Sequence, residues 1–266
     1  MRVKAQGVVI VSRQNERVKA VRALQERKAR QSTGCFLAEG IGLVGMAVQT
    51  GAAIDLVVVC EELCQSEFGL KVLGELEQRE APRIDVSVDV FGSITDDRSH
   101  GLLGVVRQHE ITLKDIRAEG VWIALDAIQY PPNLGTILRT CDAIGARGVI
   151  LMDASTDPFA PATVKASRGA IFTQQVVRCR LEEFARWKPA SGFRVVGTSL
   201  EAKIAYTQGN YTSPVVLMMG SERYGLQEGH LAVCDELVKI PMLGRCDSLN
   251  VAVAASLVLY ETIRAR

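Results

Sequence analysis

Three polar loops, with the helix that follows the first of them, carry the residues of this chain that are best suited to chemistry. The first loop contains Asn133 and leads into a helical pattern with Arg139, the second contains Glu222, and the third contains Ser248 and Asn250. Amide, hydroxyl and carboxylate groups in such loops can hold a polar ligand, and a guanidinium can grip an anion or stabilise developing negative charge. On residue type alone, Asn133 is equally well explained as the N-cap of the helix that follows it.

An apolar, strand-like run precedes each loop, and a helical pattern follows it. The three runs are Val121–Leu125, Val215–Met219 and Leu237–Ile240, and Pro241 stops the last one. If these strands are parallel, their loops gather at one edge of one sheet, where open α/β sheets bind ligands. The pattern therefore predicts an α/β fold with a mostly parallel sheet, helices on both of its faces and a binding site at its edge.

In order and spacing, these segments resemble the three motifs of the SpoU-type (TrmH-like) branch of the SPOUT methyltransferases. The matching positions are Asn133, Gly135, Arg139, Gly220, Ser221, Glu222, Gly225, Ile240, Pro241, Ser248, Leu249 and Asn250. The resemblance covers about residues 120–266. It implies an S-adenosylmethionine-dependent RNA ribose 2′-O-methyltransferase, a C-terminal segment that threads a deep trefoil knot, and a homodimer with its active site near the interface.

The resemblance also implies roles for individual residues. It makes Arg139 the principal catalytic residue and groups Asn133, Glu222, Ser248 and Asn250 around it. It places the cofactor against loop segments whose residues are Thr198, Ser199, Leu200, Met219, Gly220, Ile240, Pro241, Met242, Ser248 and Leu249. Gly220 is expected to let the backbone pass close to this ligand, since glycine has no Cβ.

Two roles for Arg139 stay open at this point. Proposals for the family make the arginine a general base that is assisted by an RNA phosphate. A guanidinium stays protonated in proteins, so it is better suited to grip a phosphate and stabilise the developing alkoxide. A solvated or ion-paired arginine is the alternative without any catalytic role.

The N-terminal part predicts a second, small α/β domain over residues 1–108, followed by a polar linker over residues 109–119 and the catalytic domain over residues 120–266. Its opening resembles the ribosomal-protein-like substrate domain that precedes many SpoU-type catalytic domains. The residues that carry this likeness are Ser12, Asn15, Lys19, Arg30, Phe36, Glu39 and Gly40. The likeness implies an RNA-binding module and favours ribosomal RNA as the substrate.

Basic residues at two places are candidates for phosphate contacts. Arg17, Lys19 and Arg22 lie in a predicted helix, Glu16–Arg30, whose basic residues form an outer face over a thin apolar stripe. Lys165 and Arg168 are further candidates. Cationic faces of this kind neutralise RNA phosphates, although ordinary solvated surface is the alternative for all five residues.

Composition excludes several other classes of protein. With 266 residues, of which 48% are hydrophobic and 23% charged, the chain predicts a globular protein. We expect a cytoplasmic location, because no apolar run reaches the roughly 20 residues of a membrane helix and no signal peptide is recognisable. The seven cysteines are scattered and odd in number, which is typical of reduced thiols.

Sequence motifs limit which cofactor and which metal the protein is expected to bind. Neither G-x-G-x-x-G nor the phosphate-binding G-x-x-x-x-G-K-[ST] occurs, which argues against a dinucleotide enzyme and a nucleoside triphosphatase. The three histidines form no metal motif, so no metal is expected. The favoured function is ribosomal RNA 2′-O-methylation. The alternatives are a transfer-RNA methyltransferase and a non-catalytic RNA-binding or ribosome-assembly factor with the same fold.

Overall fold

A computed structural model of the chain describes residues 8–95 and 101–264. The first half contains α1 (Glu16–Ala23), α2 (Arg27–Thr33), β1 (Cys35–Glu39), α3 (Ile41–Thr50), β2 (Ile54–Val59), α4 (Glu67–Gln78), β3 (Arg83–Asp85), α5 (Val88–Phe91) and β4 (Leu102–Arg107). The second half contains β5 (Glu110–Ile111), β6 (Val121–Asp126), α6 (Pro131–Ala143), β7 (Gly148–Met152), α7 (Pro161–Ser167), β8 (Gln175–Cys179), α8 (Leu181–Ser191), β9 (Arg194–Thr198), β10 (Ile204–Ala205), β11 (Val215–Met219), α9 (Glu228–Ala232), β12 (Glu236–Lys239) and α10 (Val251–Arg264).

The chain forms two compact units, which are Met1–Gln108 with Phe159–Phe172, and His109–Pro158 with Thr173–Arg266. The first unit has a four-stranded sheet in the order β1-β4-β2-β3, antiparallel except for the β2–β3 pair. Its core includes Val18 and Val21 of α1 together with Phe91. Phe159 belongs to this unit because its ring packs on Phe36, with a centroid separation of 4.9 Å.

The second unit is built on an eight-stranded sheet in the order β10-β12-β9-β11-β6-β7-β8-β5. All seven strand pairs are parallel. The central strand β6 is buried along its whole length, as expected for a parallel strand that is covered on both faces. This arrangement confirms the predicted parallel α/β sheet.

Local sequence explains where the helix after β6 begins and ends. Helix α6 starts with Pro131 and Pro132, which suit the first turn because proline has no N–H to leave unpaired. It ends before Gly145, which adopts the left-handed conformation with φ +67°. Glycine is favoured there because it has no Cβ to oppose this conformation, as the sequence predicts.

Three segments differ from the sequence-based prediction. The predicted helix Glu16–Arg30 is two helices, because Leu24, Gln25 and Glu26 form a turn between α1 and α2. The apolar pattern of Ile84–Val88 predicts one strand, but β3 ends at Asp85, and Ser87 caps the short helix α5 by accepting from the N–H of Val90. Residues 109–119 are not only a linker, since β5 adds an edge strand to the large sheet beside β8.

Among the residues that the structure describes, no helix combines the length and the apolar character needed to cross a membrane.

Candidate active site

Three motif loops leave the same edge of the large sheet. The strands β12, β9, β11 and β6 are neighbours and parallel, so their carboxyl ends lie side by side. The loop after β6 leads into α6, the loop after β11 contains Gly220–Gly225, and the loop after β12 leads into α10. The parallel sheet therefore brings together segments that are distant in sequence, as predicted.

A cavity of about 540 Å³ lies among the second and third loops and the end of β9. Its lining includes nearly all the residues predicted to hold the cofactor, which are Thr198, Ser199, Leu200, Met219, Gly220, Ile240, Met242, Ser248 and Leu249. Pro241 does not line it. The lining also includes Glu201, Arg223 and Tyr224, which the prediction did not select.

A larger cavity of about 780 Å³ lies in the first unit, between α1, α4 and β3. It carries none of the motif residues, and Arg83 on its wall is paired with Asp85 at 2.6 Å and with Glu61 at 2.9 Å. We therefore assign the candidate active site to the smaller cavity at the sheet edge.

Gly220 is required by the loop itself. A Cβ on this residue would lie 2.0 Å from the carbonyl carbon of Gly225 and 2.2 Å from the nitrogen of Leu226, both backbone atoms. The loop closes on itself further through a bond from the N–H of Gly225 to the carbonyl of Ser221 at 3.1 Å. Close approach of the loop's own backbone is therefore a reason for glycine at this position in addition to the predicted approach to a ligand, which stays a prediction.

Glu222 ties the second loop to the first. Its carboxylate accepts from Nδ2 of Asn133 at 3.0 Å, from the N–H of Gln129 at 3.2 Å and from the N–H of Tyr130 at 3.5 Å. Partial burial raises the pKa of Glu222, but hydrogen bonds from Asn133 and backbone N–H groups outweigh it and lower the pKa below its ordinary value. Glu222 is therefore an ionised acceptor at neutral pH that orders its loop.

Asn133 connects this network to the third loop. Its Oδ1 accepts from Nδ2 of Asn250 at 3.1 Å, and Oδ1 of Asn250 accepts from the N–H of Ala252 at 2.8 Å, which caps α10. The N-cap interpretation of Asn133 is wrong, because α6 begins two residues earlier and Tyr130 is its N-cap. Asn133 is instead buried, 8% exposed, and joins all three loops.

Arg139 and Ser248 lie outside the hydrogen-bonded network of Glu222, Asn133 and Asn250. Arg139 is exposed on α6, two turns after Asn133, and is not part of the cavity lining. Within the described chain, it forms no hydrogen bond or ion pair. Ser248 lines the cavity and donates to Oδ1 of Asp247 at 3.0 Å. The guanidinium of Arg139 is thus left available for an external anion.

The candidate RNA-binding residues all belong to the first unit. Arg17 is exposed, Arg22 is half-buried, and Nζ of Lys19 pairs with Glu16 at 3.0 Å. Lys165 and Arg168 are exposed at the end of α7. The remainder of the predicted basic face is incomplete, because Arg30 is buried and donates to the carbonyls of Leu24 at 2.9 Å and Gln25 at 2.7 Å.

A parallel sheet with a cavity at the carboxyl ends of its strands is typical of α/β enzymes that bind a small ligand there. Family profiles agree with this class: that of the SpoU rRNA methylase family matches residues 120–260, and that of the MRM3-like substrate binding domain matches residues 15–103. The chain belongs to the SpoU rRNA methylase family.

Individual relatives match over nearly the whole chain. The 23S rRNA (guanosine(2553)-2′-O)-methyltransferase RlmP of Bacillus subtilis is 31% identical, over 95% of this chain and 98% of its own. The AdoMet-bound rRNA methyltransferase of Sinorhizobium meliloti is 36% identical with a TM-score of 0.88, covering 97% of each chain. The SpoU methyltransferase AviRb of Streptomyces viridochromogenes, solved with AdoMet, is 27% identical with a TM-score of 0.86, covering 94% of this chain and 98% of its own.

Proposed function

We propose that this protein is an S-adenosylmethionine-dependent methyltransferase that modifies a ribose 2′-hydroxyl of ribosomal RNA. The observation that carries the proposal is the hydrogen-bonded chain from Glu222 through Asn133 to Asn250, which joins all three motif loops beside a ligand-sized cavity. Two relatives that match over more than 90% of the chain are named as 23S rRNA 2′-O-methyltransferases, which supports both the reaction and the substrate.

The cavity fits the expected cofactor. Its volume of about 540 Å³ falls within the range of about 300–1,000 Å³ that is usual for small-molecule sites. Apolar side chains, among them Met219 and Leu249, can pack against an adenine ring, and the hydroxyls of Thr198 and Ser199 stand beside them. Thr198 Oγ1 donates to Sδ of Met219 at 3.4 Å, which fixes both side chains at the cavity wall.

In this proposal, Arg139 and Glu222 have different roles in methyl transfer. Bound S-adenosylmethionine would supply an electrophilic methyl group and leave as S-adenosylhomocysteine, while the proton of the 2′-hydroxyl passes to solvent. The protein chiefly has to place the 2′-hydroxyl in line and stabilise its developing negative charge. Arg139 performs the second task while it grips a neighbouring RNA phosphate. The carboxylate oxygens of Glu222 accept hydrogen bonds from three N–H donors. Glu222 therefore orders the loops rather than accepting the substrate proton.

Ribosomal RNA is the proposed substrate because of the N-terminal module. The match to an MRM3-like substrate binding domain lies over residues 15–103, and exposed Arg17, Lys165 and Arg168 offer cations for phosphates. We assign residues 1–108 to substrate binding and residues 120–266 to catalysis, with the segment Phe159–Phe172 packed in the first unit. A cytoplasmic location follows from the substrate.

A homodimer with a knotted C-terminal segment completes the proposal. The outer face of α10 leaves four large apolar side chains exposed, which are Val253, Leu257, Tyr260 and Ile263. A repeated apolar stripe on the last helix suits a second copy of the chain, since monomers rarely expose such a patch. Arg139 lies outside the cavity lining of its own chain, which supports an active site at the interface.

The decisive test is methyl transfer to ribosomal RNA from cells that lack the gene. Purified protein with labelled S-adenosylmethionine should modify this RNA at one 2′-hydroxyl, and the same site should be unmethylated in the deleted strain. Transfer to transfer RNA alone would contradict the choice of substrate. Cofactor binding without transfer to any RNA would support the non-catalytic alternative.

A further inference from the structure

Three side chains from separate elements meet at the carboxyl ends of β6 and β7. Asp126 is the last residue of β6, Asp153 follows β7, and His230 lies in α9. Nε2 of His230 is 3.3 Å from Oδ1 of Asp126 and 3.9 Å from Oδ2 of Asp153. One candidate ligand atom from each residue lies within 4.8 Å of the other two. Because the three residues are far apart in sequence, no local motif reveals this cluster.

The cluster is buried and incompletely paired. The side chains of His230 and Asp126 are each only 8% exposed. Neither ring nitrogen of His230 forms a well-aligned hydrogen bond with a described residue, although Nε2 lies 3.3 Å from Oδ1 of Asp126. A buried polar group without a partner is unfavourable, and each such group in a native fold calls for an explanation.

We propose that Asp126, Asp153 and His230 bind one divalent transition-metal ion, Zn²⁺ or Mn²⁺. A neutral imidazole and two carboxylates neutralise a doubly charged ion and match the mixed nitrogen and oxygen ligands that these metals accept. Metal bonds of about 2.1 Å place tetrahedral neighbours about 3.4 Å apart. The observed separations of 3.3 Å and 3.9 Å are close to this spacing. The ion supplies the partner that Nε2 lacks.

The surrounding backbone and solvent access suit such a site. Ala127 and Asp153 adopt positive φ angles of 46° and 48°, which non-glycine residues hold only where the surrounding structure imposes them. Both stand at the ends of the two strands that supply the carboxylates. The side chain of Asp153 is 39% exposed, so an ion can enter from solvent.

The site is distinct from the cofactor cavity, whose lining contains none of the three residues. Asp126 precedes the loop of Gln129 and Tyr130, and His230 follows the loop of Gly220–Gly225. A bound ion therefore ties together the supports of two motif loops. Its role is structural, and it does not depend on the proposed methyl transfer.

Titration calorimetry with ZnCl₂ and with MnCl₂ tests the proposal on full-length protein that has been treated with a chelator. Every sample carries Cys246→Ser, because this exposed thiol would bind Zn²⁺ by itself. The protein with Asp126, Asp153 and His230 intact should bind one ion per chain. The bound ion should raise the melting temperature, since a ligand that binds only the folded state stabilises it. Asp153→Asn and His230→Gln should each weaken the binding more than tenfold.

Asp142→Asn is the matched control, because it removes the charge of an exposed aspartate on α6 and should leave metal affinity unchanged. Asp153 is partly exposed, so its variant is expected to fold even if His230→Gln does not. Equal metal affinity of the Asp153→Asn variant and of the protein with all three cluster residues intact would overturn the proposal. The same conclusion would follow from the absence of a metal-dependent rise in melting temperature at millimolar Zn²⁺ and Mn²⁺.

Discussion

Both polar atoms of the Asn133 side-chain amide form hydrogen bonds. Its Nδ2 donates to Glu222 and its Oδ1 accepts from Asn250, so the donor and the acceptor are both engaged. Aspartate at this position would lose the donor and face Glu222 as a like charge, and alanine would leave both partners without a bond. The role of Asn133 in joining the loops therefore depends on the amide group, not only on polarity.

Arg139→Ala should separate chemistry from folding and cofactor binding. The residue is exposed and unpaired within the described chain, and alanine favours helix, so the protein should fold. Methyl transfer should fall about a hundredfold or more, the scale of losing one contact to transition-state charge. Cofactor affinity, measured by calorimetry, should stay nearly unchanged.

Arg139→Lys should not restore activity, because an ammonium group cannot reproduce a planar fork of donors. Arg186→Ala removes an exposed arginine from α8 and serves as the control. Near-normal turnover of folded Arg139→Ala at saturating RNA and cofactor would contradict the catalytic role of this residue.

Glu222→Gln should lower the free energy of unfolding at pH 7. The glutamine keeps one acceptor oxygen but turns an N–H donor toward groups that are themselves donors. Because the folded-state pKa of Glu222 is lowered, its stabilising effect is present above the unfolded pKa of about 4.3 and is lost as the pH falls through the folded pKa.

Urea unfolding of Glu222→Gln and the unmodified protein should therefore differ most at neutral pH and converge in acid. Glu62→Gln changes an exposed glutamate outside the network and should show no such difference. A gap that persists or widens as the pH falls would contradict the assigned protonation state.

At the scale of the elements, the basic residues that the sequence predicts on one helix are divided between α1 and α2. The turn at Leu24–Glu26 separates α1 from α2, and Arg30 turns inward to satisfy carbonyls of that turn. The candidates Arg17, Lys19 and Arg22 remain on α1, where Lys19 pairs with Glu16, and exposed Arg27 and Lys28 lie on α2. The face is thus smaller than the sequence suggests.

Replacement of Arg17, Lys19 and Arg22 by glutamine should weaken RNA binding and reduce its dependence on salt, because fewer counterions are released. Cofactor affinity should not change, since these residues lie in the other unit. Binding of the RNA substrate is measured over a series of salt concentrations. A matched control replaces Lys71 and Arg79 at α4 in the same unit. An unaltered salt slope would identify α1 as ordinary solvated surface.

The loop Gly220–Gly225 provides the second prediction for an element. Gly220→Val would force a side chain against the backbone of Gly225 and Leu226, so the loop cannot keep its closed form. We expect loss of S-adenosylmethionine binding together with a lower melting temperature. Gly244→Val is the control, since a Cβ at Gly244 meets no neighbouring atom within 4 Å. Normal cofactor binding by Gly220→Val would remove this loop from the site.

At the scale of the whole molecule, the placement of Arg139 outside its own cavity lining predicts that mixed dimers recover activity. One chain carries Arg139→Ala and the other carries Gly220→Val, each inactive when alone. If Arg139 of one protomer serves the cavity of the other, random mixing should restore about a quarter of the unmodified activity, because half of the dimers are mixed and each has one intact site.

The measurement is methyl transfer after the two purified variants have exchanged subunits. Light scattering first checks that each variant is a dimer. No recovery in confirmed mixed dimers would mean that the cavity and Arg139 act within one chain, and a monomer would exclude the proposed interface.

Much of this protein could be predicted from local pattern. The sequence predicts strands over Gly148–Met152, Arg194–Thr198 and Val215–Met219, and β7, β9 and β11 have these bounds. Short apolar runs between polar turns specify such buried parallel strands. The site loops were found in the same way, since a strand, a polar loop and a helix in succession place each loop at the sheet edge. The family resemblance rested on these loops, and the family profile matches the same region.

Other features depended on contacts between distant segments. The inward turn of Arg30, the use of Gly220 to pack against Gly225, and the meeting of His230 with Asp126 and Asp153 each join groups whose neighbours are set by the tertiary fold. Sequence periodicity reports which face of an element is apolar, but not which polar groups meet across elements. The sequence by itself therefore determined the parallel α/β class of the larger unit, the strands that precede the motif loops, and the loops themselves. Only the tertiary structure decided which side chains are paired, which are buried, and which, like Arg139, remain available.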